Sequence, residues 1–180
     1  MNATNNQRNQ NEVGAASERL RLLVVTVGGL GLIRKAPGTW GSIPAAAICF
    51  LMLAFGAGAT VYLAVTVALC LAASGLCVAL TPWAERRFKK TDPRAIVLDE
   101  VAGQCVALLP APMALIDGRP FPALVFVLIG FALFRLLDIT KPGFIDAAQR
   151  LPRGWGVLID DLLAGAGAAG LLWVGWKIAA

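Results

Sequence analysis

The 180-residue sequence contains no histidine. That absence excludes His-based zinc motifs, Ser-His-Asp triads, Cys-His pairs and any mechanism through phosphohistidine. Charge is also scarce: 15% of the residues are Asp, Glu, Lys or Arg, against roughly 25% in an ordinary soluble domain. No stretch shows the period-two alternation of a half-buried strand, which leaves an all-α fold. The four cysteines (Cys49, Cys70, Cys77 and Cys105) lie in apolar runs without CxxC spacing. They read as small buried hydrophobes, and neither a disulfide framework nor a thiolate metal site follows from them.

What the chain has in excess is apolar residue, at 58% with a mean hydropathy of +0.71. Such a composition belongs to a membrane protein, and the length admits one domain with four or five crossings of roughly 17–25 residues each. Met1 to Arg21 is polar and rich in Asn and Gln, without the basic-then-apolar order and cleavage site of a signal peptide. It predicts a disordered cytoplasmic tail over residues 1–21, with a membrane-embedded domain over residues 22–180. The apolar stretch Leu22 to Ile33 carries Gly28, Gly29 and Gly31 and is too short to span, which suits a re-entrant or interfacial segment.

Five longer apolar segments follow. They run from Ile43 to Phe55 with an extension to Ala59, from Thr60 to Leu80, from Val101 to Ile116, from Phe121 to Leu137, and from Asp160-Asp161 to Trp176. The third is interrupted by Pro110 and Pro112. If each segment reverses the chain, 14 of the 16 Lys and Arg residues fall on one side, and only Arg119 and Lys177 on the other. The positive-inside rule makes the first side cytoplasmic. Basic residues placed between apolar runs, without interleaved aromatics, fit topology and anionic lipid better than nucleic acid, for which no recognition pattern is present.

On this topology the polar motifs gather. Asp99-Glu100, Arg135 with Asp138 and Lys141, and Asp160-Asp161 all fall at cytoplasmic ends of apolar segments. Each acidic pair taken alone fits a helix cap, and Arg135 with Asp138 fits a plain helical ion pair. Three such groups at one end of a membrane bundle point to a site, because ionisable groups at membrane depth are costly and face a partner or a water cavity. Five carboxylates with two cations call for a divalent metal. Hard oxygen ligands without His or Cys select Mg²⁺ or Mn²⁺, whose shell phosphate oxygens would complete. Asp99, Glu100, Asp138 and Asp160 are the candidate ligands, while Arg135 and Lys141 form a clamp on a phosphoryl group. Thr39 and Ser42 could touch the phosphate or cap the first crossing. The letters GxGxxG recur at Gly165-Ala166-Gly167-Ala168-Ala169-Gly170, but inside an apolar segment with no preceding strand they read as a helix-packing face.

Four ordered motifs carry a family resemblance. They are Pro37-Gly38-Thr39-Trp40-Gly41-Ser42, Val97-Leu98-Asp99-Glu100, Phe134-Arg135-Leu136-Leu137-Asp138-Ile139-Thr140-Lys141-Pro142 and Gly156-Val157-Leu158-Ile159-Asp160-Asp161. Together they resemble phosphatidylglycerophosphatase A, from about Leu22 to Trp176. The resemblance implies a Mg²⁺-dependent, multi-pass phosphatase of the bacterial inner membrane. Its active site would face the cytoplasm, and its substrate would be the phospholipid phosphatidylglycerophosphate. Carried over by position, the functional set would be Asp99, Glu100, Arg135, Asp138, Lys141, Asp160 and Asp161, with Asp160 or Asp161 positioning an attacking water. An aspartyl-phosphate route is the variant. One departure is visible: Gln149-Arg150 stands where the family has an Asp-Arg pair, with Asp146 one helical turn earlier. Two alternatives compete. A CDP-alcohol phosphotransferase would need a DxxDGxxAR-type motif, which is absent, and a carboxylate-lined cation carrier would need acids through the midplane and inverted repeats. Nothing in the pattern specifies an oligomeric state.

Overall fold

A computed structural model describes residues 2–111, 115, 118–141 and 154–179. Among these residues there are six α-helices, one short 3₁₀ turn and no strand, as the hydropathy pattern requires. The helices are α1 (Asn2–Val25), α2 (Pro37–Ala54), α3 (Ala59–Phe88), α4 (Leu98–Leu108), α5 (Pro120–Thr140) and α6 (Trp155–Ala179). Helix α1 takes in the polar segment for which the sequence predicted no order. The glycines of the Leu22–Ile33 stretch then turn the chain: Gly28 and Gly29 have positive φ, and Leu30–Leu32 form the 3₁₀ turn.

Four helices, α2, α3, α5 and α6, are long and apolar enough to cross a membrane. The first begins at Pro37, six residues before the expected Ile43, because Pro37 occupies the first helical turn, where its missing N–H costs nothing. The third apolar segment behaves differently. Helix α4 has only 11 residues, about 16 Å of rise against a hydrocarbon core of about 30 Å. Nine of the eleven are buried, so α4 is enclosed by its neighbours and does not face lipid. It ends where the sequence placed a break, just before Pro110.

Helix α4 is the axis of the bundle. Val101, Ala102 and Cys105 belong to one apolar cluster with Ala45, Ala73, Cys77 and Leu158. Leu108 joins a second with Leu53, Tyr62, Phe126 and Leu172, and Ala107 a third with Phe134, Ala164 and Ala168. The Tyr62 hydroxyl, near the start of α3, donates to the Leu108 carbonyl at 2.6 Å. At the other end of α4, Glu100 lies beside the first turn of α2 and the last turns of α5. Helices α2, α4 and α6 therefore start at one end of the bundle, and α3 and α5 return to it.

Small residues let the helices surround α4 so closely. A Cβ on Gly165 would stand 2.3 Å from the Gly103 carbonyl oxygen, and one on Gly103 would stand 2.6 Å from both the Asp161 carbonyl oxygen and the Phe134 ring. The glycine-rich run of α6 is thus a packing face. Because the obstructing atom at Gly165 is backbone, Gly165→Ala should destabilise the purified protein by about 1–3 kcal/mol. Gly170→Ala, where nothing lies within 4 Å, should be neutral. Thermal unfolding in detergent measures both, and equal effects would contradict this packing.

Candidate active site

Three helix ends build the site. Asp99 and Glu100 occupy the first turn of α4, where backbone N–H groups and the helix dipole favour negative charge. Asp160 and Asp161 lie near the start of α6, and Arg135 and Asp138 on the last turns of α5. The chain before α4 is fixed by Val97, whose backbone N–H donates to the Val25 carbonyl at 3.1 Å, and by Gly31 packed against the Ala95 carbonyl. The glycine-containing turn after α1 thereby holds the entry to Asp99.

Asp99, Asp160 and Asp161 are all buried, with 3%, 1% and 4% of their surface exposed. Carboxylate oxygens of Asp99, Glu100 and Asp161 lie within 4.8 Å of one another, and so do those of Asp138, Asp160 and Asp161. Either trio could hold a metal ion. Asp161 Oδ2 and Glu100 Oε2 are buried without a hydrogen-bond partner among the described residues, so acceptor capacity stands ready inside the cluster.

The cations are placed on one side of it. Arg135 Nη1 lies 2.8 Å from Asp138 Oδ2, an ion-pair distance without hydrogen-bond alignment, and the buried Nε of Arg135 has no hydrogen-bond partner among the described residues. The Lys141 ammonium contacts Asp160 Oδ2. Lys141 closes α5 in the left-handed conformation, φ 41°, with its N–H on the Leu137 carbonyl. A non-glycine residue adopts this cap at a cost of roughly 1–2 kcal/mol, and the side chain is returned toward α6. Burial acts to lower the Lys141 pKa, but the hydrogen bond and charge of Asp160 outweigh it and raise it, so the ammonium remains charged.

The structure brings together Asp99, Glu100, Arg135, Asp138, Lys141, Asp160 and Asp161. It places the two hydroxyl candidates less directly. Ser42 is fully buried and its hydroxyl donates to the Gly38 carbonyl at 2.8 Å, which commits its proton to the helix. Thr39 is half-buried on the first turn of α2. Pro142, Asp146, Gln149 and Arg150 lie outside the described residues. Two residues escaped sequence reasoning. Gln104, one turn beyond Glu100 on α4, is fully buried, and neither amide atom has a hydrogen-bond partner among the described residues. Gly38 is the other: a Cβ there would stand 2.3 Å from Glu100 Oε1 and 2.9 Å from Arg135 Nη2. Its position in a Pro-Gly pair was the visible signal, a pair that as often marks a plain turn.

An all-helical membrane bundle with buried, metal-competent carboxylates around an arginine is the apparatus of an enzyme acting on a phosphorylated substrate at the membrane. The family description phosphatidylglycerophosphatase A matches residues 23–176. The chain is 33% identical over 148 residues to phosphatidylglycerophosphatase A of Haemophilus influenzae, covering 81% of each protein. It is 34% identical over 146 residues to phosphatidylglycerophosphatase A of Escherichia coli, covering 81% of this chain and 77% of that one. It is also 34% identical over 149 residues to a putative phosphatidylinositol-3-phosphatase of Bacteroides thetaiotaomicron, covering 81% and 87%. No solved structure gives a significant match. The chain belongs to the phosphatidylglycerophosphatase A family and is a phosphoric monoester hydrolase. The phosphotransferase and carrier alternatives give way to that assignment.

Gly38 supplies a test of the site's geometry that leaves every charged group in place. The atoms a new methyl would meet are the far ends of Glu100 and Arg135, which can swing away. Gly38→Ala should therefore fold with nearly unchanged stability yet lose activity about 10- to 100-fold, because small displacements of reacting groups are expensive. Full turnover in Gly38→Ala would show that Glu100 and Arg135 need not stand where they do.

Proposed function

We propose that the enzyme hydrolyses the terminal phosphate monoester of phosphatidylglycerophosphate to give phosphatidylglycerol and inorganic phosphate, with Mg²⁺ as cofactor. The observation that carries this reading is the convergence of five carboxylates and Arg135 at one end of an apolar bundle, with oxygens of Glu100 and Asp161 unpartnered inside it. Oxygen-only ligands suit Mg²⁺, and Asp99, Glu100, Asp138, Asp160 and Asp161 would hold it. When bound, the ion supplies Lewis-acid polarisation of a phosphoryl oxygen and neutralises developing charge.

The remaining chemistry falls to side chains. Arg135 holds phosphoryl oxygens through its planar fork, the unpartnered Nε included. Lys141 fixes Asp160, and a carboxylate of the Asp160-Asp161 pair orients a water and takes its proton. The water oxygen forms the new bond to phosphorus as the glycerol oxygen leaves with its bonding pair and is protonated. Attack by an aspartate, giving an aspartyl phosphate that water then hydrolyses, is the variant of the same geometry.

Residues 22–180 are assigned as the membrane-embedded phosphatase domain and residues 1–21 as a cytoplasmic tail. The site would face the cytoplasm of a bacterial inner membrane. Arg86 and Arg87 in the last turn of α3, Lys89 and Lys90 just beyond it, and Lys141 mark the site end of the bundle, whereas Arg119 and Lys177 lie at the other. Thiols introduced at Asp92 and Gly58 in a background lacking the native cysteines should label from opposite sides, Asp92 from the cytoplasm. Labelling of Asp92 from outside would invert the orientation.

A second substrate reading comes from the Bacteroides relative, since a phosphoinositide monoester offers the same terminal phosphate. Phosphate release by the purified enzyme should be fastest with phosphatidylglycerophosphate. It should stop in EDTA and return with Mg²⁺. Faster turnover of phosphatidylinositol 3-phosphate would transfer the assignment to that lipid, and full activity in EDTA would remove the metal. Asp138→Asn and Asp160→Asn should insert and fold but lose turnover by on the order of 10²-fold or more, through lost charge in the site.

A further inference from the structure

The two carboxylate trios share one member, Asp161. Neighbouring residues of a helix project about 100° apart, so Asp160 and Asp161 address different partners. Asp160 meets Lys141, whereas Asp161 stands with Asp99 and Glu100 of α4 and also with Asp138 of α5. Asp161 is 4% exposed and its Oδ2 is buried without a hydrogen-bond partner among the described residues, at the place where the trios meet.

Charge makes the same point independently. Among the described residues, the five carboxylates of the two trios against their ion-pair partners Arg135 and Lys141 leave three negative charges. One divalent ion reduces this to one, still repelling a phosphate monoester dianion. A second ion reverses it to a single positive charge, the sign that substrate requires.

We propose that the site binds two divalent cations bridged by Asp161, one on Asp99, Glu100 and Asp161 and the other on Asp138, Asp160 and Asp161. The proposal rests on the metal reading given above and deepens it. The two positions are unequal. Asp138 and Asp160 already share oxygens with Arg135 and Lys141, which compete for the second ion, so the α4 position fills first. Two ions can divide the work, one on the attacking side of the phosphorus and one on the leaving side.

Mn²⁺ alone is the probe, followed by electron paramagnetic resonance on the full chain in detergent without substrate. The expected titration binds two Mn²⁺ per chain. The first gives an isolated six-line spectrum, and the second broadens it through coupling to its neighbour. Asp138→Asn should bind one uncoupled Mn²⁺ at the α4 position, and Glu100→Gln should bind one uncoupled Mn²⁺ at the other. Asp161→Asn should lose the coupled signal. Thermal unfolding identifies any variant that has lost its fold, and the remaining variant then carries the test. Saturation of the wild-type chain at one uncoupled Mn²⁺ would overturn the two-ion site while leaving a single-metal enzyme. A coupled pair persisting in both folded single-side variants would overturn the ligand division. No Mn²⁺ binding at all would remove the metal reading itself.

Discussion

Like charges held a few ångströms apart dominate the energetics of this molecule. Two carboxylates at 4.8 Å, the outer limit within each trio, repel by about 3–4 kcal/mol at an effective dielectric constant of about 20. Several such pairs converge here, on residues whose burial also removes them from water. Arg135 and Lys141 relieve the side built by α5, but Asp161 and Glu100 retain buried oxygens without hydrogen-bond partners among the described residues. A chain folds around such a cluster only if packing elsewhere fixes the helix ends, and the cluster is useful only if something positive enters it. The apolar bundle supplies the first condition, and a divalent ion of the kind proposed above would supply the second.

The fixing falls to α4. A helix of 11 residues is too short to be held by the bilayer as its neighbours are, yet it contributes to all three apolar clusters and reaches from Glu100 to Leu108 through the middle of the bundle. Gly103 and Gly165 bring α4 and α6 into backbone contact, which sets the spacing between Asp99-Glu100 and Asp160-Asp161. The placement of the acidic cluster and helix packing are therefore one problem in this protein: widening the α4–α6 contact by a methyl group also separates Asp99-Glu100 from Asp160-Asp161.

Much of this arrangement was legible in the sequence because membrane insertion imposes strong rules. Hydropathy located the apolar segments, and the ends of those segments placed Asp99, Glu100, Arg135, Asp138, Lys141, Asp160 and Asp161 together. What escaped was local and depended on contact. The run from Val101 to Ile116 has the composition of a crossing, but composition cannot distinguish a helix facing lipid from one enclosed by other helices, since both are apolar. The first long segment was expected to begin at Ile43, since proline and glycine commonly mark turns, whereas Pro37 opens a helix and Gly38 admits Glu100 and Arg135. Gln104 is polar in an apolar helix, a visible anomaly, but that its amide is buried without a hydrogen-bond partner among the described residues emerges only once the bundle is assembled.

Glycines set two different kinds of clearance in this site, and the difference bears on how the activity could vary while the fold is kept. At Gly103 and Gly165 the opposing atoms include backbone, so the spacing is rigid and a side chain there must disturb the bundle. At Gly38 the opposing atoms are the tips of Glu100 and Arg135, which can move without disturbing any helix axis. The first kind of clearance fixes where the carboxylates stand, and the second adjusts where a carboxylate and a guanidinium point. The proposed mechanism uses both, because the helix ends withstand mutual repulsion permanently while Arg135 would have to meet a phosphate that arrives and leaves with each turnover.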